Sequence, residues 1–84
     1  MENYLTELAI YIHELNNKMF AQLELEAHKG INRSIAIIRS YGREFDNKYK
    51  DDPTVKQGGF VQFTKKRMLE LKANDRIKAA LKYL

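Results

Sequence analysis

The sequence predicts an all-α protein, a small helical bundle built on one long N-terminal helix. Apolar residues recur at spacings of three and four over the first third of the chain, which places them on one side of an α-helix. Lys29-Gly30-Ile31-Asn32 reads as a helix stop followed at once by a start. The last third, from Phe60 onward, is helical by composition. With 84 residues the chain suffices for one domain with a thin core, and small helical proteins often add to such a core by pairing with a second copy. A homodimer or higher oligomer is therefore expected.

The first helix is predicted over residues 2–29. Leu5, Leu8, Ile12, Leu15, Met19 and Leu23 form its stripe, with Tyr4 and Tyr11 on one edge and Ala9, Phe20 and Ala27 on the other. A face this wide suits a globular core better than a two-stranded coiled coil. Glu26 lies on the same stripe, so the core is expected to stop before it. A helix of this length would run roughly 42 Å, against roughly 30 Å for a compact chain of this size. Either it breaks at the weak helix formers Asn16-Asn17, or it projects and offers the Glu24 to Lys29 end to a partner. Projection is the favoured reading.

Gly30 is expected to close the first helix in a left-handed conformation, with Ile31 folding back and Asn32 capping the next helix. The second helix, residues 32–50, would then pack as an antiparallel hairpin on the first. Its stripe holds Ile31, Ile35, Ile38, Phe45 and Tyr49, with Gly42 allowing a close neighbour. Ile37 points away from that stripe and needs cover from the third helix or a second subunit.

Residues 51–59 form the loop, in which Asp52-Pro53 could start one helical turn before Gly58-Gly59 ends it. Over residues 60–84 the apolar face changes side. Phe60, Phe63, Met68 and Leu71 point one way, and Leu69, Ala73, Ile77, Ala80, Leu81 and Leu84 nearly the other. A kink or restart at residues 74–75, capped by Asn74 or Asp75, resolves the conflict.

The chain contains no cysteine, which removes disulfides, thiolate nucleophiles and cysteine-based metal sites. His13 and His28 are too far apart on one helix to share a metal, and Glu24 with His28 fits a surface ion pair better than half a metal site. Ser34 and Ser40 have no histidine near them in sequence. No enzyme, metal or cofactor is expected. The N-terminus lacks the pattern of a signal peptide, and no run approaches the roughly 18 apolar residues of a membrane span, so a cytoplasmic protein is expected.

Charge supplies the best functional clue. The formal net charge is +4, but residues 1–55 hold seven Lys/Arg against nine Asp/Glu, and residues 56–84 eight against two. Basic residues interleave with aromatics at Arg39, Tyr41, Arg43 and Lys50 on the second helix, and basic residues continue at Lys65, Lys66, Arg67, Lys72, Arg76, Lys78 and Lys82. If the two groups converge they would hold phosphates, with Tyr41 stacking on a base. Gln57-Gly58-Gly59 followed by Thr64-Lys65-Lys66-Arg67 lacks the GxxxxGK[S/T] spacing of a nucleotide-binding loop, although glycine amides at a helix start could still hold a phosphate. The Gly30 turn has the length of a helix-turn-helix corner, but the helix before it is too long for that motif.

Two readings follow. The first is a non-enzymatic binding protein that engages nucleic acid or a nucleotide through basic helix faces. The second is an inhibitor or adaptor that binds a host or regulatory protein through Ile37, Glu26 and Leu84. In its size and its Lys, Asn, Ile and Tyr usage the chain resembles accessory proteins encoded by phages and plasmids.

Overall fold

A computed structural model describes residues 2–70 and 75–84. Helix α1 (Glu2–Glu26) runs directly into a 3-10 turn (Ala27–Lys29), and α2 (Ile31–Lys48), α3 (Gly59–Glu70) and α4 (Asp75–Leu81) follow. The described residues contain no strand. The chain is all-α, with α1 and α2 packed as a hairpin and α3 and α4 laid against α2. No helix among the described residues is long and apolar enough to cross a membrane.

α1 does not break at Asn16-Asn17. Asn16 is fully buried, and its Nδ2 donates to the Thr64 hydroxyl on α3 at 2.9 Å. That hydroxyl in turn donates to the main-chain oxygen of Phe60 at 2.9 Å. The Arg67 guanidinium donates to Oδ1 of both Asn16 and Asn17 at 3.1 Å. Weak helix propensity, a fraction of a kcal/mol per residue, is outweighed by these contacts and by Leu15 and Met19, both buried on either side.

α1 sets the long dimension of the molecule, 41 Å against 22 and 18 Å for the other two. The end that overhangs is the N-terminal one, not the expected Glu24 to Lys29 end. Thr6, Glu7, Ala9 and Ile10 are exposed and only Leu8 leans on the core, whereas Leu23 and Ala27 are buried. The core therefore does not stop before Glu26. The hairpin turn brings α2 back over this end, and α4 also touches the 3-10 turn.

Gly30 has φ +115° and ψ 168°, an extended conformation at positive φ that is essentially restricted to glycine. It is not the expected left-handed helical form. The Gly30 amide donates to the Ala27 oxygen at 3.1 Å, and the Gly30 oxygen accepts from the Ser34 amide at 3.3 Å. α2 thus begins at Ile31 with no side-chain cap, and Asn32 lies inside its first turn instead of capping it. Ile31, expected in the core, is 37% exposed.

Ile37, Ile38, Gly42 and Phe45 are the buried apolar positions of α2, with Ile35 and Tyr49 partly covered. Ile37 finds its cover within the chain and needs no second subunit for it. A Cβ on Gly42 would sit 3.2 Å from Cγ2 of Val61, so the glycine admits a side chain of α3. Phe45 links the helices through ring contacts with Tyr11 of α1 at 6.0 Å, Tyr49 at 5.0 Å and Phe60 of α3 at 5.7 Å.

In the loop, Asp52 Oδ1 accepts from the Thr54 amide at 2.9 Å and the Thr54 hydroxyl at 2.6 Å. This makes a local turn where a helical turn was expected. The Gly58 amide, at φ +78°, donates to the Asp46 carboxylate at 3.1 and 3.2 Å. That bond ties the start of α3 to α2. The change of apolar face over residues 60–84 is resolved by two helices: Phe60 and Met68 are buried from α3, Ile77 and Ala80 from α4. Asn74, a candidate cap, and Leu71 and Ala73 lie outside the described residues.

Two buried polar side chains carry opposite expectations. Asn16→Ala strands the α3 contacts and is expected to cost about 2 kcal/mol. The Ser34 hydroxyl is fully buried and has no partner among the described residues. Ser34→Ala is therefore expected to be neutral or to raise stability by about 1 kcal/mol. Urea denaturation of both variants checks the pair, and a large loss of stability in Ser34→Ala would show that the hydroxyl is satisfied after all.

Candidate functional site

Adjacent basic residues on a helix point about 100° apart, so Lys65, Lys66 and Arg67 cannot share a face. Arg67 turns toward α1, where the two asparagines hold it. Lys65 turns toward the end of the chain, and its Nζ donates to the main-chain oxygen of Leu84 at 3.3 Å. Lys66 is exposed. Lys72 lies outside the described residues.

On α2, Arg39 and Arg43 are exposed, with Asp46 on the same side of the helix by its spacing; the helix ends at Lys48, not at residue 50 as expected, so the exposed Lys50 lies in the turn after it. Tyr41 is half-buried, and its hydroxyl donates to Gln22 Oε1 at 3.0 Å. That bond braces α2 against α1. The glycine-loop site for phosphate is also filled from within. The Asp46 carboxylate already accepts from the Gly58 amide at the start of α3, where a bound anion would otherwise sit.

The basic residues that do come together are Lys65, Lys78 and Lys82. They line an open groove of about 490 Å³ between α3 and α4, with Met68 and Leu81 as the other lining residues. Lys78 lies on α4 and Lys82 in the turn that follows it, and Lys65 lines the groove from α3. No acidic residue lines the groove among the described residues. The groove between α1 and α2 is different in kind, because Glu14 and Glu44 accompany Lys18 there.

Lys78 and Lys82 stand at i and i+4 beside Leu81 in the sequence, and this was the legible signal for the site. What the sequence withheld was which face of α3 they would meet. Convergence of the α2 arginines with this set is not among the contacts of the fold.

Of the residues expected at a protein-binding surface, Ile37 is 3% exposed and Leu84 is partly buried against the core. Glu26 is engaged inside the chain. Its Oε1 accepts from Arg33 Nη2 at 2.7 Å and Nε at 3.0 Å and lies 3.4 Å from Lys29 Nζ, while Oε2 accepts from Gln22 Nε2 at 2.8 Å. His13 sets its ring edge-to-face on Phe63 at 5.1 Å, and His28 is exposed. Among the described residues no three His, Asp or Glu side chains gather as a metal site would need.

The hydrogen bonds from Gln22 and Arg33 hold the Glu26 carboxyl well below its ordinary 4.5, at about 2. A depressed carboxyl contributes stability that is present above the ordinary value and is lost as pH falls through the folded one. The melting temperatures of the wild type and Glu26→Gln are expected to differ most above about pH 4.5 and to converge toward pH 2. Thermal melts across that window check this, and a gap independent of pH would contradict it.

Compared with protein-family models, with curated proteins and with solved structures, the chain matches none.

Proposed function

We propose that this chain is a non-enzymatic binding module that takes an anionic ligand, a nucleotide or nucleic acid, in the groove between α3 and α4. The observation that carries the reading is the meeting of Lys65, Lys78 and Lys82 around Met68 and Leu81 with no acidic neighbour in the lining. Three ammonium groups suit phosphate oxygens, and the two apolar side chains suit the face of a base or sugar. Neither Lys78 nor Lys82 has an ion pair among the described residues, so these two are open to a ligand phosphate, while Lys65 would share its ammonium between the phosphate and the Leu84 oxygen. The lining holds no carboxylate, hydroxyl or imidazole side chain among the described residues.

The charge distribution supports the same reading. Eight basic against two acidic residues over residues 56–84 leave an excess of positive charge on the C-terminal helices. Binding to phosphates through such a surface releases counterions and weakens as salt rises.

Fluorescence anisotropy with a labelled nucleotide and a labelled oligonucleotide tests the reading. The Lys78→Ala/Lys82→Ala double variant is expected to weaken binding and to flatten the dependence of log K on log salt by roughly 0.7 per lysine removed. Arg39→Ala/Arg43→Ala is expected to bind nearly as the wild type. If neither probe binds the wild type at about 50 mM salt, where phosphate contacts are strong, the reading falls.

A further inference from the structure

A duplex buries its base faces in its own stack and shows a protein mainly phosphates and groove edges. A surface that pairs cations with apolar and aromatic side chains is matched to unstacked bases instead. Two features of the C-terminal end have this character. One is the groove itself, where Met68 and Leu81 lie between the lysines.

The other is Tyr83. It is 65% exposed and is the only exposed Phe or Tyr among the described side chains. It follows Lys82 directly in sequence and is not among the groove's lining residues. Its backbone is held by successive turns. The Lys82 amide donates to the Ala79 oxygen at 3.2 Å, the Tyr83 amide to the Ala80 oxygen at 3.1 Å, and the Leu84 amide to the Leu81 oxygen at 3.3 Å. Leu84 and Leu81 on either side pack against the core, so the ring is carried on an anchored segment while its own faces meet solvent. Tyr loses little conformational entropy when a flat partner settles on it.

We infer that the ligand is single-stranded nucleic acid, its phosphates on Lys65, Lys78 and Lys82 and one of its bases stacked on Tyr83. The inference rests on the groove reading above and adds the strandedness of the ligand and the residue that selects it. Tyr83 is not among the groove's lining residues, and a strand of several nucleotides can offer it a base other than the one beside the lysines.

Anisotropy titrations of the full chain at one fixed salt concentration test this with three probes: a short deoxythymidine oligomer, a duplex of the same length and a labelled mononucleotide. The wild type is expected to bind the single strand more tightly than either of the others. Tyr83→Ala is expected to lose about tenfold in affinity for the single strand, the equivalent of stacking one base, with the mononucleotide unaffected. Tyr83→Phe keeps the ring and is expected to bind as the wild type, which separates stacking from any effect of the hydroxyl. Equal affinity for duplex and single strand, or a Tyr83→Ala variant that binds the single strand as the wild type does, overturns the inference while leaving the groove intact as an anion site. Failure of the wild type to bind any of the three probes overturns the groove reading itself.

Discussion

The Asn16–Thr64–Arg67 network is the constraint on which the placement of the C-terminal helices depends. A helix packed only by apolar contacts can slide or rotate at modest cost, whereas a buried amide and hydroxyl have few geometries in which both are satisfied. Asn16 and Thr64 are both fully buried, and their 2.9 Å bond fixes the rotation of α3 about its own axis. Once Thr64 faces α1, Lys65 falls 100° away from it and Arg67 about 60° away on the other side. The division of the basic triplet follows: Arg67 reaches the asparagines of α1, and Lys65 reaches Leu84 and the groove beside α4.

The opposite end of the molecule is fixed by charge as well as by packing. Glu26 stands beside the buried Leu23 and Ala27, with its side chain 18% exposed. Such a carboxylate is tolerated because Arg33, seven residues on across the hairpin, meets it with two nitrogens, a charge-assisted pair that fixes orientation as well as supplying energy. The same carboxylate accepts from Gln22, which accepts in turn from the Tyr41 hydroxyl. One chain of bonds therefore spans α1 and α2 alongside the turn at Gly30.

These two networks also mark where the sequence was readable and where it was not. The stripe through Leu15, Met19 and Leu23 was legible because periodicity needs no knowledge of the partner surface, and the helix end at Gly30 because few residues adopt its backbone. In the sequence Glu26 reads as lying beyond the core, and Asn16 as a candidate break although a continuous, projecting helix is the favoured reading; neither residue's partner is visible there. Read alone, a polar residue on an apolar stripe signals a break or the edge of a core. In the fold, each is satisfied by a residue that only tertiary structure brings near: Thr64, 48 positions away, and Arg33 across the turn. Tyr41 and Tyr83 were interchangeable by composition for the same reason, since the Gln22 bond to Tyr41 and the exposure of Tyr83 are both outcomes of packing. At the candidate site, basic residues at i and i+4 could be read from α4, but their meeting with Lys65 required the rotation of α3 that Asn16 sets.

α4 has seven residues, too few for a helix to persist in water by its own hydrogen bonds. It is held by the burial of Ile77 and Ala80 and by the partial burial of Leu81 and Leu84. Lys65 adds to this, its Nζ donating to the main-chain oxygen of Leu84 at 3.3 Å, while Lys78 and Lys82 line the same groove from the last helix and the turn after it. Under the proposed function, an anion held by these lysines would bind the docked form in preference to any form with α4 detached, which would couple occupancy to the stability of the last helix. α3 is anchored independently of such a ligand, through Asn16 and the Gly58–Asp46 bond, so any effect of occupancy on the fold would fall on α4.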